Sequence, residues 1–346
     1  VIRQSDIAKK LNISRTTVAR ALNGTGSINP ETKEKILKAC EELGYKRNPI
    51  STSLASKRKK NIFAFIVKTR NHYYIEGIRL GFKEAEIEYK FYKYQINIIE
   101  TDINNPEEQV QMLRTIIKKG NVDGIIITPL LKEEIKAIKK DNPKIVFMAL
   151  DLPLDRGTYS VYSNYYKVGR ITANILLSVL NNGDKILVIN TEDDRISSRL
   201  SFDGFYSKLL EEKKCRIVGP IYQKDLKNNI EKVVEENVTD DINALYSSRF
   251  LVDIVEYISS NKNINLKVID NGFSKATKEL IRKNKIIATV VQKYEELGYL
   301  ASKNMFEYLY KDSKPKNINN EIDSIIIFKE NLERNVISRG INTKSK

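Results

Sequence analysis

The chain has one histidine, two cysteines and no stretch of about 18 consecutive apolar residues, and each scarcity removes a class of function. With His72 alone, and with Cys40 and Cys215 far apart, the sequence offers no clustered ligands for a metal centre and no disulfide framework. No glycine-rich phosphate loop of the Walker kind occurs, and no nucleophile stands beside a base at a recognisable spacing. Neither an enzyme nor a bound cofactor is therefore expected. Glu192, Asp193 and Asp194 imitate an acidic catalytic site, but a solvated loop explains them better. The lack of a membrane-length apolar run excludes a spanning helix, and the opening VIRQSDIAKK lacks the apolar centre of an export signal. Val1 in place of an initiator Met suggests a trimmed start. Two free thiols suit a reducing cytoplasm.

What the chain has in excess is positive charge, a formal +15. Its richness in Lys, Asn and Ile fits AT-rich coding, so part of that excess needs no function. Distribution is more informative. Residues 1–60 hold 14 Lys/Arg against 5 Asp/Glu, a net of +9, whereas the remaining 286 residues carry +6. Basic charge gathered in a short N-terminal unit is the electrostatic footprint of a nucleic-acid binder.

That unit reads as three helices. Ile7, Ala8 and Leu11 recur at helical spacing after Ser5-Asp6, and Asn12-Ile13 makes a tight connection. Ser14 suits the cap of a second helix, with Val18, Ala21 and Leu22 facing inward, and Asn23-Gly24-Thr25-Gly26 stops it. Asn29-Pro30-Glu31 opens a third helix that Gly44 ends. Two short helices joined by a minimal turn and braced by a third predict an all-α helix-turn-helix head; a plain three-helix bundle is the alternative. The outer face of the second helix decides between them, because Arg15, Thr16, Thr17 and Arg20 offer donors and no carboxylate. Arg15 and Arg20 suit guanine edges, and the threonines suit phosphate or a thymine methyl.

The run SDIAKKLNISRTTVARALNG, then INPETKEKI and ELGY, resembles the LacI/GalR family of bacterial regulators almost without gaps over residues 2–54. The resemblance implies that Arg15, Thr16 and Arg20 choose bases, with Ser14 and Thr17 on the same face. It implies that Asn23 and Tyr45 support phosphate contacts and packing. It also implies a hinge at 47–60 that folds on DNA, with Asn48 and Ser51 at its start and Leu54 as a minor-groove wedge. Arg47-Asn48-Pro49 and Ser51-Thr52 depart from the usual family residues there. The head is expected over 1–46.

From Asn61 onward short apolar strands alternate with amphipathic helices. Strands are expected at 62–67, 91–99, 124–128, 145–150, 186–190, 217–221, 244–247, 267–269 and 288–291. Helices are expected at 74–88, 107–119, 132–140, 165–181, 199–213, 228–237, 249–260, 274–284 and 294–310. This alternation predicts an α/β effector domain, 61–346, of two Rossmann-like lobes with a ligand cleft at the strands' C-terminal ends. The N-lobe is expected at 61–157 and 292–322, and the C-lobe at 158–291 and 323–346.

The segments VDGIIITP, SRLSFDGF and VVQKYEELGY are similar to periplasmic-binding-protein-like lobes, in the manner of sugar-sensing regulators common in Bacteroidetes. That likeness implies that His72, Tyr73 and Tyr74 supply aromatic faces to the ligand and that Arg199 binds its hydroxyls. Asn164 and Asn271 stand where the family often has Asp; Asp151 and Gln292 follow strands and are further candidates. Tyr165 and Tyr166 read as packing at a helix start. The function expected is a sequence-specific transcriptional regulator, most simply a repressor, controlled by a carbohydrate held between the lobes; a nucleobase or a protein partner is the alternative. Its partners are expected to be pseudo-palindromic operator DNA and a second copy of itself, with a tetramer left open, in the nucleoid-associated cytoplasm.

Overall fold

A computed structural model describes residues 2–23, 28–45, 59–69, 71–191 and 195–333. The head consists of α1 (Gln4–Lys10), α2 (Arg15–Asn23) and α3 (Pro30–Glu42) around a small core of Ile7, Val18, Ala21, Ile36 and Cys40. Local caps explain each start. Asp6 accepts the Arg3 backbone N–H at 2.8 Å, so α1 begins one residue before the expected Ser5. Ser14 Oγ accepts the Thr17 N–H at 3.0 Å, and Asn29 Oδ1 accepts that of Glu31 at 2.9 Å. A Lys10–Glu42 ion pair joins α1 to α3. The expected hinge residues Asn48, Ser51 and Leu54 lie outside the described residues.

Two six-stranded sheets follow. The first contains β1 (Ile62–Lys68), β2 (Ile96–Asp102), β3 (Gly124–Ile127), β4 (Val146–Asp151), β5 (Tyr159–Ser163) and β11 (Asn319–Ile322), in the order β11-β5-β4-β3-β1-β2. The second contains β6 (Lys185–Thr191), β7 (Arg216–Gln223), β8 (Ala244–Ser247), β9 (Lys267–Asp270), β10 (Ala288–Gln292) and β12 (Ser324–Phe328), in the order β12-β10-β9-β8-β6-β7. All pairings are parallel except β10 with β12. Central strands such as Gly124-Ile-Ile-Ile and Ala244-Leu-Tyr-Ser are buried at every position, as helices on both faces require. On the first sheet lie α4 (His72–Glu88), α5 (Pro106–Lys119), α6 (Lys132–Asp141) and α12 (Tyr294–Lys311). On the second lie α7 (Tyr165–Ser178), α8 (Ile196–Glu212), α9 (Ile230–Asn237), α10 (Leu251–Asn261) and α11 (Lys275–Arg282).

The chain changes lobe three times. β5 pairs in parallel with β4, with Met148 opposite Tyr159, so the first crossing falls at Asn164 and not at the expected 158. β10 keeps Gln292 in the second sheet, opposite Ser324, and the return falls at Lys293. The third crossing is Asp323, between β11 and β12. The strand expected from Phe91 begins only at Ile96. Tyr89 and Tyr94 instead pack on Phe306 of α12, the first stacked at 3.8 Å, and this packing outweighs the strand propensity of FYKY.

Glycines let two helix pairs approach closely. A methyl group on Gly77 or Gly81 would strike α12, and one on Gly298 would strike the Ile78 carbonyl of α4. Gly169 and Gly204 hold α7 against α8 in the same way. The glycines of the YKVGR, FDGF and EELGY segments therefore serve packing in this fold.

Candidate functional site

The C-terminal edges of both sheets meet at a cleft of about 350 Å³. Its N-lobe wall carries Thr69, Asn71, Tyr74, Thr128 and Asp151; its C-lobe wall carries Ser248, Phe250, Asp270, Asn271 and Phe273. Asp151 ends β4 and Asp270 ends β9. These strands hold equivalent places in the two sheets, so each lobe presents one carboxyl group at the same point of its architecture.

Both carboxyls are buried and hydrogen-bonded. Tyr165 OH donates to Asp151 Oδ1 and Oδ2, each at 2.9 Å. Asp151 adopts the left-handed backbone region at φ +65°, which turns the chain sharply out of β4. The Asn271 N–H donates to Asp270 Oδ1 at 2.9 Å and Thr277 Oγ1 to Oδ2 at 3.1 Å. Burial raises the Asp151 pKa to about 6 against the opposing hydroxyls of Tyr165, Ser163 and Tyr74. Burial also raises Asp270 to about 6, opposed by the Asn271 N–H and Thr277. Three phenols surround the cleft floor. Tyr74 OH meets Thr128 Oγ1 at 3.3 Å and packs edge-on against Tyr294 at 5.3 Å. Tyr294 OH donates to Gln292 Oε1 at 2.7 Å and accepts from Asn71 Nδ2 at 3.2 Å. Burial pushes Tyr74, Tyr165 and Tyr294 upward, with Asp151 adding to each, so they remain protonated. At the cleft mouth, Arg195 Nη2 donates to Asn104 Oδ1 at 2.9 Å and links the lobes.

The cleft brings together four of the eight residues expected there: Tyr74, Asp151, Asn271 and Gln292. The other four lie elsewhere. His72 is exposed at the first position of α4. Tyr73 packs its ring on Phe273 at 4.9 Å in a neighbouring groove. Asn164 caps α7 through the Lys167 N–H and donates to Glu321, which serves the crossing. Arg199 is exposed on the first turn of α8, while Arg195, just before that helix, lines the cleft. Tyr165, read from sequence as packing, supplies the hydroxyl that binds Asp151. Asp270, Asn71 and Ser248 were missed, although each stands at or just beyond the end of a parallel strand; that position was the available signal.

On the head, Arg15, Thr16 and Arg20 are exposed along α2, and no described carboxylate lies on that helix. Ser14 Oγ and Thr17 Oγ1 are 2.8 Å apart and occupied with the cap. Asn23 is the last residue of α2. Tyr45 packs on the head core, and its N–H donates to the Cys40 carbonyl at 2.8 Å.

Residues 5–48 match the lacI family of bacterial regulatory proteins, and residues 63–313 match the periplasmic binding protein domain. The chain is a LacI-family transcriptional regulator. This regulator is 24% identical to catabolite control protein A of Priestia megaterium over 326 residues, 90% of this chain and 94% of that protein. It superposes on a structure described as a LacI transcriptional regulator from Bacteroides fragilis with a TM-score of 0.68, at 17% identity, covering 80% of this chain and 99% of that one. A carbohydrate transporter solute-binding protein from Agrobacterium radiobacter, solved with D-arabinose, gives 0.64 at 16% identity, covering 79% and 96%. The chain thus joins a lacI-family DNA-binding head to a periplasmic binding protein domain. No described helix of the regulator is long and apolar enough to cross a membrane.

Proposed function

We propose that the regulator binds a pseudo-palindromic operator as a homodimer in the cytoplasm and that its cleft closes on a monosaccharide. The pair of buried carboxyls, Asp151 and Asp270, carries the ligand reading. Ionised carboxylates accept hydrogen bonds from vicinal hydroxyls, while Asn71, Asn271 and Ser248 supply donors and Phe250 and Phe273 supply apolar ring faces. Arg195 and Arg249 also line the cleft and offset the two acids, which favours a neutral polyol over a cation or an anion. The likeness in fold to a protein solved with D-arabinose supports the same ligand class. Dimerisation follows from the head, because one recognition helix reads too few bases for genomic specificity.

A thermal-shift screen of pentoses, hexoses and nucleobases on the intact chain tests this reading. A monosaccharide at a hundred times its Kd should add about 2.7 kcal/mol of stability. Stabilisation by nucleobases alone, or by none of the panel, would reject the carbohydrate assignment.

A further inference from the structure

Beyond the head, the positive charge is concentrated on one face. Four segments lead into strands of the first sheet: 89–95 before β2, 118–123 before β3, 140–145 before β4 and 311–318 before β11. They hold nine lysines and three aspartates, a net of +6 that equals the entire excess of residues 61–346. The rest of the effector region sums to zero, including the approach to β5, where Asp155 balances Arg156. All nine lysines are exposed. Coding bias would scatter lysines over every surface. Helix dipoles account for Lys118, Lys119, Lys140 and Lys311 in last turns, but not for Lys90, Lys93, Lys144, Lys314 and Lys316 beyond the α-helix ends. Lys118, Lys144, Lys314 and Lys316 have no ion-pair partner among the described residues.

This is also the end at which the chain arrives from the head. Lys59 Nζ donates to Gln95 Oε1 at 2.5 Å, Lys60 pairs with Asp123 at 3.6 Å, and the Asn61 carbonyl accepts the Asp123 N–H at 2.9 Å. Thirteen residues separate Tyr45 from Lys59, a reach of at most about 50 Å. The ligand cleft occupies the opposite, C-terminal ends of the strands. The lysine face therefore looks toward the side from which the DNA-reading head is tethered.

We propose that this face lies against the phosphates of the duplex flanking the operator and adds sequence-independent contacts to those of the head. Its orientation rests on the operator reading above. The test uses the full chain and the variant Lys118→Gln/Lys144→Gln/Lys314→Gln/Lys316→Gln, whose residues have no ion-pair partner to lose. Kd is measured against salt on two 50-bp duplexes of arbitrary design length (about five helical turns), one holding an operator selected from a random pool and one of random sequence. The slope of log Kd against log salt should become shallower by about 2–7 on both duplexes, since a dimer loses up to eight lysines and each lost phosphate contact removes about 0.9. The double variant Lys314→Gln/Lys316→Gln, a milder change, should move it about half as far. Slopes equal to the parent's on both duplexes would overturn the proposal. A parent chain with no preference for the selected duplex would overturn the operator reading instead, and the random duplex would still decide the lysine face.

Discussion

Asp151 and Asp270 act in opposite directions on stability and on ligand binding. Burial raises both to about 6, above the value of an unfolded aspartate near 3.8. Between those values the folded chain binds more protons than the unfolded chain, so acidification favours folding. Their stabilising contribution is largest on the acid side and is lost as pH rises through about 6. Sugar hydroxyls need the ionised acceptor, so affinity should fall as pH drops below about 6. Asp270→Asn should raise the thermal midpoint at pH 7.5 by about 2–4 °C and abolish the ligand-induced shift, as read by thermal denaturation with and without sugar. A variant that keeps the full shift would remove Asp270 from the site. On the head, Arg15→Ala should cost about 1–3 kcal/mol of discrimination at one base pair per half-site, read by a binding selection. Unchanged base preference would exclude Arg15 from readout. The exposure of Arg15 and Arg20 on one helix face was legible from the helical spacing of Val18, Ala21 and Leu22, which turn inward. Arg199, expected at the ligand from its motif, is exposed on the first turn of α8 while Arg195 lines the cleft, because a motif says nothing about the phase of its helix.

At the scale of elements, the long helices and buried parallel strands were readable from periodicity alone. β5, β11 and β12 were not. TYSVYS and NNEI are short and half polar, and they join sheets at lobe crossings, where pairing is fixed by residues distant in sequence. The helix pairs depend on glycines that no local pattern explains. Gly169→Ala would push a methyl into the Ser201 carbonyl and part α7 from α8. It should destabilise the chain by about 1–3 kcal/mol in denaturant titration, whereas Gly157→Ala, which meets only the Asp155 side chain at 3.5 Å, should change little. Equal effects at the two sites would show that the tight helix contact carries no special constraint.

At the scale of the whole molecule, the two-lobed architecture was legible from alternation and length, and the membership of each lobe less so, because three crossings were to be placed within short polar segments. The lobes are joined at Asn164, Lys293 and Asp323, with Arg195 meeting Asn104 across the cleft mouth, so a ligand bridging Asp151 and Asp270 would change how the lobes sit. Coupling of that kind is typically worth about 1–3 kcal/mol between sites. In the proposed function, one chain reads DNA at one end and a sugar at the other. Operator affinity of the full chain, measured by fluorescence anisotropy across a monosaccharide panel, tests it most directly. At least one sugar should change Kd by about five-fold or more in the parent and leave Asp270→Asn unmoved. Operator affinity indifferent to every sugar that binds the cleft would contradict the account.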